Sequence, residues 1–220
     1  MRLRSLVNRL LSTSRSQRPV KNPSETTSEP PHGVYSTSVR GEPLRQCEIL
    51  TGVIQRRRSF RSLVLEPELE EINHPYSIVV NQDCDLEQDF KWALDSEGQA
   101  KSGTRPTPCV LLLEALIRDS MLDTAPDKHI RRRVKQNQDE RYHCLEEIPA
   151  PCDAEGAGVP ALAVDFKKFF TVPTDELYYE IQSRTKRRAR LNSPYLENFS
   201  RRFANFLSRV ALPAEEQVDS

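Results

Sequence analysis

Apolar and polar positions alternate along the chain in blocks that predict strands first and helices later. Cys47 to Ile54 reads as a strand entering a turn, and Tyr76 to Val80 as a β-rich apolar run buried on both faces. Between them, Arg56-Arg57-Arg58 and the acidic Glu66 to Glu71 segment read as solvated connections. Val110 to Ile117 has an ambiguous period, and its length and leucine content suit either a central strand or a buried helix. Residues 127–137 predict a helix with Asp127 as N-cap and Asn137 as its stop. Arg141 to Leu145 and Leu162 to Val172 follow as strands, separated by a loop holding Pro149, Pro151, Gly156, Gly158 and Pro160.

Thr174 to Ile181 predicts a further helix running into a cationic stretch. The last element opens on Ser193 as N-cap and Pro194 at the first helical position, where the missing proline N–H costs nothing. Tyr195, Phe199, Phe203, Phe206 and Val210 then make one apolar stripe, suited to core packing, and Pro213 ends the helix.

The N-terminus is a separate object. Leu3, Leu6, Val7, Leu10 and Leu11 recur at helical spacing with Arg2, Arg4 and Arg9 between them, a short basic amphipathic pattern. Ser12 to Pro31 lacks the apolar area to offset its ordering entropy. Residues 1–40 therefore read as a mobile basic arm: a presequence, an arm for a membrane surface or nucleic acid, or a plain tail. Residues 41–213 read as a single α+β domain and 214–220 as a disordered tail.

Charge refines this division. The 32 Lys and Arg balance the 32 Asp and Glu, yet residues 1–24 hold six cations and no acid, which leaves a mildly acidic body. Nucleic acid coating the whole surface is excluded, and only local patches can bind phosphate. The strongest is Arg184, Lys186, Arg187, Arg188 and Arg190, five cations in seven residues with no aromatic residue interleaved. No apolar run approaches the roughly 18 residues of a membrane-spanning helix. Five cysteines without a CxxC spacing or a secretory apolar segment fit reduced thiols in a cytosol.

Asn81 to Asp89 follows directly on the apolar strand, where strand ends deliver side chains to clefts. It is not a calcium loop: counted from Asp83, position six is Gln88 instead of glycine, and position twelve is Leu94 instead of glutamate. Asp83 and Asp85 could hold Mg²⁺ only with a second acidic cluster, and none is placed beside them. Cys84 could act as a nucleophile with His143 and Asp85 or Asp165, or join His143, Cys144 and Cys152 around a soft metal. Adjacent His143 and Cys144 point to opposite faces of a strand, so at most one serves such a site. The bland alternative buries Cys84 as a small hydrophobe while Asp83 and Asp85 cap the turn. No metal centre and no cofactor is assigned.

Gln46 to Leu50, Val79 to Leu86, Asn137 through His143, and a Ser-Pro-Tyr helix ending Arg209-Val210-Ala211-Leu212-Pro213 together resemble a poorly characterised group of bacterial proteins. That group shares a Ser/Asn-Gln-x-Cys-Asp loop, and the resemblance covers roughly residues 42–213. The order of the two early strands is in turn similar to MazF/PemK-type toxins, SH3-like β-barrels that cleave RNA. Cys47-Glu48 stands where those toxins carry Gly-Asp, and His74-Pro75 where they carry Arg-Pro. The toxins' catalytic threonine has no counterpart near Pro108 to Leu113.

The resulting expectation is an α+β protein: a small, partly closed SH3-like barrel with a helical insertion at about 110–137 and C-terminal helices. The expected role is a cytoplasmic bacterial accessory protein, in a conflict or defence module, binding RNA, DNA or a partner protein. Arg187, Arg188 and Arg190 would contact phosphate, while Asn81, Gln82, Asp83 and Asp85 line a cleft opposite Arg141 and His143. The alternative is an endoribonuclease of the toxin type or a hydrolase centred on Cys84, with Asp85, Arg141 and His143 as catalytic candidates.

Overall fold

A computed structural model describes residues 33–59, 68–94, 105–123 and 127–209. Its strands are β1 (Tyr35–Thr37), β2 (Glu48–Ser59), β3 (Glu68–Val79), β4 (Cys109–Ile117), β5 (Tyr142–Leu145), β6 (Leu162–Pro173) and β7 (Lys186–Leu191). Its helices are α1 (Asp83–Leu94), α2 (Arg118–Asp123), α3 (Lys128–Lys135), α4 (Thr174–Ile181) and α5 (Tyr195–Leu207).

The strands form one antiparallel seven-stranded sheet in the order β1-β7-β2-β3-β4-β6-β5. The sheet is open, since edge strands β1 and β5 do not pair, and this replaces the expected partly closed barrel. Both faces are covered, which is why the central strands read as near-continuous apolar runs. One face packs Ile49, Ile78, Leu113, Val164, Phe166 and Leu191 against Phe199 and Phe203 of α5. The other packs Leu50, Val79, Val110, Leu112 and Val172 against Leu86 of α1 and Leu177 of α4. A smaller cluster joins Leu122 of α2 and Val134 of α3 to Cys144 and Ala163.

Several expectations hold: a strand at 76–80, strands at 141–145 and 162–172, and helices at 127–137 and 174–181. Asp127 caps α3 by accepting from the His129 N–H at 3.0 Å, and Asn137, with φ of 54°, ends the run in a left-handed turn. The Asn137 side chain then accepts from Cys144 N at 2.6 Å and donates to Cys144 O at 3.0 Å, standing in for a strand neighbour along β5.

Other expectations change. Residues 110–117 are strand β4, paired on both sides, so the helical insertion contracts to α2 and α3. Arg56–Arg58 and Glu68–Glu71 are not connections but the far ends of β2 and β3, which form a two-stranded ribbon beyond Tyr76. Arg56 lies opposite Glu71 and Arg57 opposite Glu70, so opposite charges pair across the ladder on an exposed part of the ribbon. Glu66 lies outside the described residues. Part of the expected arm is structured: Tyr35 is buried on β1, and its hydroxyl donates to Glu146 O at 2.7 Å.

At α5, Pro194 occupies the N-cap and Ser193 makes no capping bond, contrary to the expected Ser193 cap. Leu196 packs toward the core while Tyr195 is exposed, so the stripe begins one residue later than the sequence suggests. Val210, Pro213 and residues 214–220 lie outside the described residues, as do residues 1–32 of the arm.

Candidate nucleic-acid interface

The segment expected to be a reactive loop is the start of α1, because Asp83 and Asp85 sit in a helical first turn where acidic side chains complement the macrodipole. Its polar side chains knit the fold. Asn81 Oδ1 accepts from Leu111 N at 2.7 Å, and Asp83 accepts from Gln46 N at 2.6 Å and Arg190 Nη2 at 2.5 Å. Gln82 and Asp85 are exposed and flank the Cys84 thiol, each with an oxygen 3.6 Å from Sγ. Cys84 is itself exposed, contrary to the buried-hydrophobe reading.

Arg141 and His143 lie elsewhere. Asn81 follows β3, and three strand spacings, about 14 Å, separate β3 from β5. His143 points into the α5 face, 6% exposed, with its ring edge-on to Phe199 at 5.0 Å. Burial, aided by the nearby Arg202 cation, pushes its pKa down to about 3, so it is a neutral core histidine. Cys84 and His143 are therefore not brought together as nucleophile and base. Among the described residues no group of three or more His, Cys, Asp or Glu could hold a metal ion. Cys144 is buried against α2 and α3, and Cys152 sits in the loop after β5.

The cationic run at 184–190 spans the turn before β7 and most of that strand, and its guanidinium groups are bound by the protein's own acids. Arg187 is buried and bonds Glu48 at 2.5 and 2.9 Å, while donating to the carbonyls of Glu42 and Pro43 at 2.7 and 3.0 Å. Arg188 makes a two-point bond to buried Asp153 at 2.7 and 2.6 Å, which holds that carboxyl below the usual carboxylate range. Arg190 bonds Asp83, and Arg184 bonds Glu180. Strand alternation turns Arg187 inward, a placement that counting cations along the sequence misses.

The opposite situation holds on α3. Lys128, Arg131, Arg132, Arg133 and Lys135 share an eight-residue helix with no acid, and Val134 alone is buried. Among the described residues, Lys128, Arg132 and Lys135 carry no ion pair. Lys128, Arg132 and Lys135 line a cavity of about 640 Å³ shared with Asp119, Leu122 and Asp123 of α2. The signal for this patch is in the sequence: five cations fall within the eight residues of α3 with no acid among those eight.

A groove of about 510 Å³ opens on the other flank of α2. Its position follows from a bulge in which Asp165, Phe166, Lys167 and Lys168 of β6 oppose the single residue Glu114 of β4. Leu116, Met121 and Tyr142 give it apolar walls, while two ion pairs form its rim: Arg141 to Asp165 at 2.7 and 2.5 Å, and Lys168 to Glu114 at 2.8 Å. Behind Glu114, His74 Nδ1 lies 3.1 Å from its carboxylate and the ring stacks on Phe170 at 3.8 Å. Burial lowers the His74 pKa against the opposing pull of Glu114, so His74 adds no positive charge.

No protein family, curated protein or solved structure matches the chain. No helix among the described residues is long and apolar enough to cross a membrane.

Proposed function

We propose that the protein is a cytoplasmic accessory module that binds nucleic acid, with α3 contacting the phosphates. The observation that supports this reading is the set of exposed cations on α3, a helix with no acid of its own, set against a run at 184–190 whose arginines are committed to Glu180, Glu48, Asp153 and Asp83. Unpaired surface cations release condensed counterions when they meet a phosphate chain, whereas an arginine already bonded to a carboxylate must first break that bond. Local placement of the charge also reconciles binding with a chain of zero net charge. Lys128, Arg132 and Lys135 are the phosphate contacts, whereas Asn81, Asp83 and the β7 arginines hold other parts of the fold together.

The test changes Lys128, Arg132 and Lys135 together to alanine, all exposed, so the fold is retained. Fluorescence anisotropy with a short labelled strand should show binding by the parent protein and its loss in the triple variant. Undiminished affinity in a folded triple variant contradicts the proposal.

A further inference from the structure

We infer that the groove beside α2 takes an unpaired base from the strand whose phosphates lie on α3, making the protein a binder of single-stranded nucleic acid. This rests on the phosphate role proposed for α3 and adds a substrate class to it.

Placement is the first argument. Leu122 packs α2 onto Val134 of α3, while the neighbouring residues Ser120 and Met121 line the groove. The cations and the groove thus flank one helix about 10 Å across, or some three nucleotide rises of about 3.4 Å. A strand following α3 can cross α2 and deliver a base into the groove without leaving the surface.

Chemistry is the second. The Arg141 guanidinium lies 4.8 Å over the Tyr142 ring and is fixed by its two-point bond to Asp165. A held guanidinium plane or tyrosine ring is a stacking platform for a base that is not already stacked in a duplex. Leu116 and Met121 supply the apolar walls, and the Glu114 and Asp165 carboxylates offer acceptors to exocyclic amino groups. Lys168 stands at the rim, where a phosphate flanking the base would pass. The volume, about 510 Å³, lies inside the range of roughly 300–1,000 Å³ for small-molecule sites, ample for one nucleotide. Bases stacked and paired in a duplex do not offer a free face to such a platform.

The test compares a single strand, its duplex and an abasic strand of equal length, by anisotropy at about 50 mM salt. The parent protein should favour the base-bearing single strand over both others by about tenfold, in line with stacking energies per base. Arg141→Lys keeps the charge beside Asp165 but removes the plane, and Tyr142→Leu removes the ring. Each should erase the preference while leaving duplex affinity unchanged, with thermal melting confirming the fold. Equal binding of all three ligands by the parent, or a preference surviving in either folded variant, overturns the inference and leaves the α3 reading intact. Absence of binding to any of the three removes the α3 reading and the inference together.

Discussion

Replacing Arg187 with methionine separates a structural arginine from a ligand-binding one. The guanidinium is buried, and the change strips Glu48, 1% exposed, of both its arginine bonds. One backbone donor, Arg45 N at 2.9 Å, would remain on the carboxylate, and the carbonyls of Glu42 and Pro43 would lose their donor. Breaking a buried pair from one side costs about 3–5 kcal/mol, because the surviving charge is left uncompensated. At about 2–4 °C per kcal/mol for a domain of this size, the melting temperature should fall by roughly 6–20 °C. Removing the other charge as well, in Glu48→Leu with Arg187→Met, should recover at least half of the loss, since an apolar pair can occupy the same space. By contrast Arg57→Ala, which breaks the exposed pair with Glu70, should cost well under about 1 kcal/mol. Calorimetry or thermal circular dichroism reads all four proteins. An Arg187→Met protein that melts like the parent yet binds nucleic acid more weakly would refute the reasoning, for it would make Arg187 a ligand contact.

Two further predictions concern titration and reactivity. His143 is held neutral in the fold with a pKa of about 3, against about 6.5 unfolded, so the unfolded chain binds the extra proton first. Stability is therefore unaffected by this residue above pH 6.5 and falls as pH drops toward 3, by at most about 1.4 kcal/mol per unit, and His143→Phe should flatten that slope. An NMR titration of the His143 ring with a midpoint near 6.5 would contradict this. Burial raises the thiols of Cys47 and Cys144 to about 12 and about 11, while Cys84 and Cys109 are exposed. Iodoacetamide at mild alkaline pH should thus modify Cys84 and Cys109 in the folded protein and reach Cys47 and Cys144 only after unfolding. Mass spectrometry of the digested protein decides it, and early labelling of Cys47 would contradict the packing.

What the sequence disclosed and what it concealed have a common physical basis. Leu162 to Val172 and the 174–181 helix were legible because burial writes an apolar period into them, and α3 because Asp127 and Asn137 mark its ends. The outer half of the β2–β3 ribbon was not, since its ladder is held by Arg56, Arg57, Glu70 and Glu71, charged residues without the apolar alternation that marks a strand. Glu48 and Arg187 are 139 residues apart, so neither shows locally that the other neutralises it. That concealment made the β7 arginines look like an exposed patch. Composition limits phosphate binding to local patches, yet the choice between two cationic runs depended on where the acids fold. The groove was the least legible feature, for it depends on a bulge at 165–168 and on Arg141, Met121 and Lys168 converging from separate elements.

The most direct test of the central claim is the salt dependence of nucleic-acid binding between about 50 and 200 mM, with and without the three α3 cations. Each phosphate neutralised contributes about −0.7 to −0.9 to the slope of log affinity against log salt, so alanine at Lys128, Arg132 and Lys135 should flatten it by about 2–3. A slope unchanged by the triple substitution, in a protein that still binds, would place the phosphates elsewhere and contradict the account.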